Sequence, residues 1–202
     1  MRKSIFEGIM SGLYVGVGAT VYLSCENKII GCVAFTIALI SICLTGAQLF
    51  TGKVGYMVFS HQKKDYISLL GCVIGNAIGT FTCAAIVTGA GLPIRQRAIE
   101  MCAVKLDTPY LKVFFAAIMC GILMFTAVYT YKEKHSMAAV FFAVPAFILS
   151  GYEHSIADMF YFSATMQFSL EIFPFLLIVL LGNSVGGMII PALMKLAGNK
   201  NP

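Results

Sequence analysis

The chain has 202 residues, of which 59% are hydrophobic and 11% charged, and its mean hydropathy is +0.87 with a formal net charge of +5. A soluble domain carries about 25% charged residues because its surface faces water, so this composition excludes an ordinary soluble fold and favours a protein embedded in the lipid bilayer. The lysines and arginines lie in predicted loops, and no nucleic-acid partner is needed to explain them. At about 20 residues per membrane-spanning helix, one transmembrane domain over 1–202 holds about six spans.

Seven cysteines are scattered along the chain without a C-x-x-C pair. Most lie in apolar stretches, where cysteine behaves as a small hydrophobic residue. We therefore predict no disulfide framework, no metal site and no cofactor. The N-terminal apolar run follows Arg2 and Lys3 but contains Glu7 and has no small-residue cleavage site, so it is interpreted as the first span rather than a signal peptide.

Six apolar stretches follow one another, at about 5–24, 29–59, 66–91, 110–131, 137–162 and 171–197. Glycine-rich polar motifs interrupt the second stretch at 46–52 and the fifth at 151–155. Lys and Arg are more frequent on the side of the N-terminus, which predicts a multi-pass protein of the plasma (inner) membrane with both termini cytoplasmic. The loop between the third and fourth spans is unusually basic for an outer loop, and we expect it to form a positive mouth.

An internal repeat is visible in the sequence. Residues 75–80 (GNAIGT) and 182–187 (GNSVGG) match at four of six positions, counting Ile and Val as a match, and the two interrupted motifs recur at nearly the same period. Three spans per half is an odd number, so the halves, about 1–92 and 105–198, are predicted to have inverted topology. Inverted repeats with broken helices place a transport site near the bilayer midplane, and the N-terminal ends of half-helices favour anions.

Ionisable residues in the second break are candidates for function. Glu153, His154 and Asp158 interrupt an otherwise apolar span, and charged or titratable groups within a membrane are costly and are retained for function. We predict that His154 lines the pathway of a transported substrate. Glu153 is expected to cap or anchor the backbone of the break along the same pathway.

Four motifs in order resemble those of the formate/nitrite transporter family. They are GAQLFT in the second span, GYEHSIADM in the fifth, and the two GN-x-[IV]-G motifs in the third and sixth. The resemblance covers essentially the whole chain. It implies an all-α membrane protein of six transmembrane helices, with an aquaporin-like inverted repeat of three plus three and helices two and five broken. It also implies a homopentamer in which each protomer has its own pore for a small anion.

The resemblance also assigns roles to individual residues. It implies that Thr51 and His154 contact the substrate at the two breaks and that Lys105 is the basic residue of the outer vestibule. This chain departs from the family pattern at three positions: Gln48 replaces an acid, Asp158 replaces Asn and adds a charge near the pore, and Gly121 replaces an Asn that could contact the histidine. The hydrophobic constrictions implied by the resemblance are Phe35, Leu39, Leu49, Phe50 and Phe147.

A bare anion passing Phe and Leu side chains would lose its hydration at a cost of several kcal/mol. We therefore expect the substrate, a monovalent weak acid such as formate or nitrite, to cross in neutral form with a proton, assisted by His154. A hydrosulfide channel of the same family is the alternative. A water or glycerol channel would carry paired Asn-Pro-Ala motifs, which are absent. An intramembrane enzyme using Glu153, His154 and Asp158 is the remaining alternative, and we predict that the protein is not an enzyme.

Overall fold

The computed structural model describes residues 1–60 and 62–198, so the last residues of the predicted domain lie outside it. Within these ranges the chain is all-helical, as predicted, with nine α-helices and one short 3₁₀ helix at Val54–Val58. The α-helices are α1 (Arg2–Ser24), α2 (Lys28–Thr45), α3 (Phe50–Lys53), α4 (Lys63–Gly89), α5 (Arg95–Asp107), α6 (Tyr110–Lys134), α7 (Ala138–Leu149), α8 (Ser155–Ala164) and α9 (Ile172–Leu196).

Among the described residues, five helices are long and apolar enough to cross a membrane: α1, α2, α4, α6 and α9. The shorter α7 is equally apolar in character. The remaining short helices, α3 and α8, follow α2 and α7 after a few non-helical residues. The second and fifth predicted spans are therefore each a pair of helices separated by non-helical backbone.

A glycine with positive φ ends the first helix at each break. Gly46 has a φ of +71° and Gly151 a φ of +70°, a left-handed conformation that glycine adopts without the steric cost of a Cβ. Non-helical backbone follows as far as Leu49 and His154, which have extended conformations and are the N-caps of α3 and α8. The first break is shorter than the predicted 46–52, because α3 already begins at Phe50.

Two buried asparagines hold the breaks through matching hydrogen bonds. The amide of Asn76 donates to the carbonyls of Gly8 (2.9 Å) and Gln48 (3.0 Å), and its oxygen accepts from the N–H of Phe50 (3.0 Å). Each bond satisfies a backbone group, and two of these groups lie where the helical ladder is interrupted.

In the second half, Asn183 repeats this pattern. It donates to the carbonyls of Ala117 and Glu153, both at 2.8 Å, and accepts from the N–H of Ser155 at 2.9 Å. Both asparagines come from the GN-x-[IV]-G motifs, so the motif supplies the side chain that fastens each break to its neighbouring helices.

The glycines of the same motifs allow close helix packing. A Cβ at Gly79 would meet the backbone of Ile9 and Gly12 in α1, and one at Gly186 would meet the backbone of Ile118 in α6. Small residues permit this approach between helices in lipid. The pairs α1–α4 and α6–α9 therefore form the frame that carries the breaks.

The segment interpreted as a basic loop between the third and fourth spans is instead the helix α5. Its buried residues Ala98 and Cys102 are four apart and lie on one face. Arg95 donates to the carbonyl of Thr165 (2.9 Å), and Arg97 donates to that of Leu23 (2.7 Å), so both guanidiniums bind carbonyls at helix C-terminal ends. Hydropathy alone could not identify this helix, because six of its 13 residues are polar or charged and only two are buried.

Candidate functional site

The two breaks meet at a buried contact between Thr51 and His154. Thr51 Oγ1 lies 2.9 Å from His154 Nε2, although the residues are far apart in the chain. Thr51 is fully buried, and only 4% of His154 is exposed. α3 and α8, with the breaks before them, therefore present one hydroxyl and one imidazole to each other inside the bundle.

The hydrogen bonds of His154 determine which ring nitrogen carries the proton. Its Nδ1 accepts from the backbone N–H of Ala157 at 3.1 Å and so caps the N-terminus of α8. A backbone N–H can only donate, so Nδ1 is unprotonated and the neutral ring carries its hydrogen on Nε2. Nε2–H then donates to Thr51 Oγ1, and the hydroxyl hydrogen of Thr51 is left to donate to a third group.

A small apolar cavity, the central chamber, lies beside His154. It has a volume of about 10 Å³, which is close to the space one water needs. The ring of Phe147 stacks on that of His154, with centroids 5.4 Å apart, and Phe35 packs edge-on against Phe147 at 6.2 Å. Besides His154, the chamber is lined by apolar side chains: Val15, Phe35, Ala38, Leu39, Ile42, Leu49, Met124, Val144 and Phe147.

Four of the five predicted constriction residues thus line the chamber, and the fifth does not. Phe50 is 5% exposed and buried in the core, and among the described residues it does not line the chamber or either of the two larger cavities beside it. Its backbone N–H is bound to Asn76 at the start of α3. Phe50 therefore fixes the start of the helix that presents Thr51.

The first larger cavity, the Lys105 cavity, has a volume of about 550 Å³ and shares Phe147 and His154 with the central chamber. The second, the Lys53 cavity, has a volume of about 410 Å³ and shares Ile42 and Leu49 with it. A larger cavity thus lies on each side of the chamber, one at each break. Such a row of cavities is the arrangement expected of a pathway through a membrane.

In the Lys105 cavity, one lysine is paired with two carboxylates. Lys105 Nζ binds Glu153 and lies 3.0 Å from Asp158 Oδ1, and the Lys105 side chain is only 14% exposed. Burial alone would lower the pKa of Lys105, but the charges of Asp158 and Glu153 outweigh it and raise the pKa above its ordinary value. Asp158 is 1% exposed, and its Oδ2 has no hydrogen-bond partner among the described residues.

This triad bears on the prediction that the basic segment before the fourth span forms a positive mouth, which stays a prediction. Lys105 lies on α5 with its charge compensated, and Arg95 and Arg97 are bound to backbone carbonyls. Glu153 anchors Lys105 through its side chain, whereas its backbone carbonyl is held by Asn183. The expectation that Asp158 adds a charge near the pore fits its place in the lining of this cavity.

In the Lys53 cavity, Gln48 lies in a chain of hydrogen bonds. Its Nε2 donates to Glu7 at 2.6 Å, and its Oε1 accepts from Lys53. Lys53 also donates to Ser68 at 2.6 Å. Gln48 is among the predicted pathway residues, whereas Lys53 and Glu7 are not. Lys53 directly follows the GAQLFTG motif, and Glu7 is a charge within the first span, so both signals are present in the sequence.

Gly121, where the resemblance implies an Asn in contact with His154, lies at the contact between α6 and α9. A Cβ there would first meet the backbone of Asn183 and Gly187. The glycine is therefore explained by helix packing. That an Asn at this position would contact His154 stays a prediction.

Comparison with known proteins agrees with the motif resemblance. The sequence model of the family described as "Formate/nitrite transporter" matches residues 1–197. The nitrite transporter NirC of Escherichia coli is 30% identical over an alignment of 175 positions that covers 76% of this chain and 65% of NirC. The formate-nitrite transporter of Plasmodium falciparum is 27% identical over 91% of this chain and 74% of its own length. This chain thus spans just under two thirds of the length of NirC.

Solved structures share the fold. A chain described as an "FNT family ion channel" superposes with a TM-score of 0.85 at 22% identity, covering 98% of this chain and 91% of that one. A "Pentameric formate channel with formate bound" gives a TM-score of 0.83 at 21% identity, covering 97% and 96%. These relatives are described as transporters and channels, which agrees with the expectation of a transport protein rather than an enzyme. The chain belongs to the formate/nitrite transporter family.

Proposed function

We propose that this protein conducts small monovalent weak-acid anions, of the formate or nitrite type, across the plasma membrane. The observation that carries this proposal is the contact of Thr51 with His154 beside an apolar chamber, with a larger cavity on either side. Membership in the family supports it, and so does the name of NirC, a nitrite transporter.

The apolar chamber favours a neutral permeant. A charge that enters a region lined by Phe35, Leu39 and Phe147 loses its water shell at a cost of several kcal/mol. A weak-acid anion avoids that cost by taking a proton from water in one cavity, which leaves hydroxide in the solution on that side, crossing as the acid, and releasing the proton to water in the other. Substrate and proton are then transported together.

His154 assists this protonation by hydrogen bonding. Its Nε2–H donates to Thr51 Oγ1, which orients the hydroxyl hydrogen of Thr51 towards an incoming substrate oxygen. The pair offers a donor in place of lost water as the substrate enters the chamber, and the bond from Ala157 to Nδ1 holds the ring in this tautomer. A hydrogen bond to an ionised oxygen is stronger than one between neutral groups, so the pair replaces part of the hydration that the anion loses and holds it at the chamber while it takes up the proton.

The same proposal covers symmetry, assembly and orientation. The halves 1–92 and 105–198 form an inverted repeat of three spans each, which is supported by the matching bonds of Asn76 and Asn183. The protein assembles as a homopentamer with one pathway per protomer, which is supported by the fold shared with a channel described as pentameric. Both termini lie in the cytoplasm.

A flux measurement in proteoliposomes tests the proposal. Formate, nitrite, hydrosulfide, acetate and lactate are compared by stopped flow at two pH values. We expect faster flux at the lower pH, where more protons are available to the substrate. Absence of flux for all five substrates would contradict the proposed function.

His154→Asn tests the role of the histidine, and His135→Asn is its matched control. Asn keeps an N-cap acceptor for α8 but shortens the side chain, so the contact with Thr51 is lost. His135 is exposed in the turn after α6 with a φ of +51°, a conformation that Asn tolerates. We expect His154→Asn to reduce flux about tenfold or more and alter its pH dependence, and His135→Asn to leave both unchanged. Unchanged flux and pH profile in His154→Asn would contradict the role of His154.

A further inference from the structure

Lys53, in the cavity opposite Lys105, has no role in the proposed pathway so far. It is half-buried at the end of α3, and its Nζ donates to Gln48 Oε1 and Ser68 Oγ. An ammonium has three hydrogens to donate, so one remains after these two bonds. Both acceptors are neutral, and neither compensates the charge.

The asparagine contacts show which positions of the two breaks correspond. Asn76 binds the carbonyl of Gln48 and the N–H of Phe50. Asn183 binds the carbonyl of Glu153 and the N–H of Ser155. Gln48 therefore corresponds to Glu153. Counting five residues on from each, Lys53 corresponds to Asp158.

The charges at these corresponding positions are opposite. The second break presents two carboxylates, Glu153 and Asp158, which together bind Lys105. The first break presents an amide, Gln48, and a cation, Lys53. An acid at position 48 would compensate Lys53 in the way that Glu153 compensates Lys105, but Gln48 cannot.

Among the described residues, no carboxylate forms a direct ion pair with Lys53. Each of the two cavities is lined by three lysines and two carboxylates, so their placement, and not their number, distinguishes them. In the part of the chain that the structure describes, no carboxylate lies within 4.0 Å of Lys53 Nζ. Glu7 is reached only through Gln48 and is itself 3.6 Å from Lys3. The remaining charged residues of this cavity are engaged elsewhere: Asp65 by Ser60, and Lys132 by the ring of Tyr56 at 4.5 Å.

We propose that Lys53, with Ser68 and Gln48 as its neighbours, forms a binding site for a small monovalent anion at the Lys53 cavity. A partly buried ammonium without a carboxylate is stabilised by an anion that enters the cavity. Leu49, next to Gln48, lines both this cavity and the central chamber, so a bound anion waits directly beside the apolar constriction. The site rests on the proposed function, since it concentrates the same substrate before that substrate is protonated.

The two mouths then differ in affinity. An anion approaching from the Lys105 cavity meets a lysine already bound to two carboxylates. One approaching from the Lys53 cavity meets a lysine bound only to neutral groups. We expect the half-saturating concentration for formate to be lower from the Lys53 side.

Lys53→Gln and Gln48→Glu test this site in oriented proteoliposomes, with Lys134→Gln as the control. Lys53→Gln removes the positive charge of residue 53, and Gln48→Glu gives Lys53 a carboxylate as its counter-ion. Lys134 is an exposed lysine at the end of α6. Formate flux is measured as a function of concentration from each side. We expect both test variants to raise the half-saturating concentration about tenfold from the Lys53 side only. The control should leave it unchanged.

Binding of formate is measured separately, by broadening of the ¹³C signal of labelled formate added to the detergent-solubilised protein. We expect broadening with the wild type, and much less with Lys53→Gln and Gln48→Glu. Unchanged half-saturating concentrations and unchanged broadening in both variants would overturn the site, and Gln48→Glu alone decides the question if Lys53→Gln fails to assemble. These results are separate from a failure of the proposed function, in which the wild type carries none of the five weak acids or His154→Asn behaves as the wild type.

Discussion

Replacement of Asn183 by Leu removes the three hydrogen bonds that hold the second break. Leu has a similar volume but neither donates nor accepts, so the carbonyls of Ala117 and Glu153 and the N–H of Ser155 lose their partner. Asn183 is fully buried, and water cannot replace it without opening the bundle. The residues flanking His154 are then free to shift, so we expect loss of both stability and flux.

The size of the effect follows from these contacts. Side-chain hydrogen bonds between helices in a membrane contribute about 0.6 kcal/mol on average and up to about 1.7 kcal/mol. Two of the three groups lie at the break, where no helical partner is available, so values in the upper half of this range apply to them. We expect a loss of about 3 kcal/mol in the free energy of unfolding, which for a chain of this size lowers the Tm by about 6–12 °C.

Thermal unfolding in detergent, followed by a thiol-reactive dye that reports exposure of the buried cysteines, measures this change. Ser184→Ala is the control, because Ser184 is the next residue and bonds only to the carbonyl of Leu180 in its own helix. Asn76→Leu should lower the Tm by a similar amount, since Asn76 makes the matching bonds at the first break. A Tm of Asn183→Leu within about 2 °C of the control, with flux retained, would refute this reasoning.

Three further predictions follow from single contacts. Thr51→Val should lower formate flux in proteoliposomes about tenfold, because Val keeps the shape of Thr but has no hydroxyl. Thr51→Ser should retain most of the flux. Equal flux from the two variants would argue against a hydroxyl donor at this position. Gly79→Ala should lower the Tm in detergent, because the added Cβ meets the backbone of α1. Gly89→Ala should leave the Tm unchanged, because a Cβ at Gly89 has open space around it. Similar Tm values for the two variants would contradict the close packing of α1 against α4 at Gly79. Lys105→Met should destabilise the protein by about 3–5 kcal/mol because it leaves Asp158 buried without a cation, and adding Asp158→Asn should recover much of the loss in the same melting assay. Because the pKa of Lys105 is raised, its positive charge is fully present at any pH below the ordinary lysine pKa and is lost only as the pH rises above about 10.4 through the raised value. Titration of this lysine should therefore add no pH dependence to the Tm between pH 6 and about 9.

Features that depend on composition and local geometry could be predicted from the sequence. The low charged fraction indicates a membrane protein, because each charged side chain exposed to lipid carries a large desolvation cost. The two breaks could be located because Gly46 and Gly151 precede polar residues within apolar runs, and both adopt the left-handed conformation that only glycine adopts readily. The family was recognised from the same motifs because they contain the residues that the breaks require.

The helix α5 could not be predicted, and neither could the partners of the charged residues. Polar and charged residues interrupt the apolar ones along α5, and only Ala98 and Cys102 mark its buried face. The sequence alone favoured Lys105 as a positive charge at a mouth, since nothing in it places Glu153 or Asp158 beside that lysine. Likewise, Lys53 looks like an ordinary residue after a motif until its neighbours are known.

Local sequence thus determined the membrane environment, the positions of the breaks and the residue types available at them, because these depend on solvation and on backbone conformation near each residue. Tertiary structure alone decided which of these residues meet. Thr51 and His154 come from different halves of the chain, and their contact depends on how α1–α4 and α6–α9 pack through their glycines. Charge compensation is equally a property of the packed molecule, because the field at a lysine is set by whichever carboxylates lie within a few ångströms of it. The fold gives Lys105 two of them and leaves Lys53 with none among the described residues.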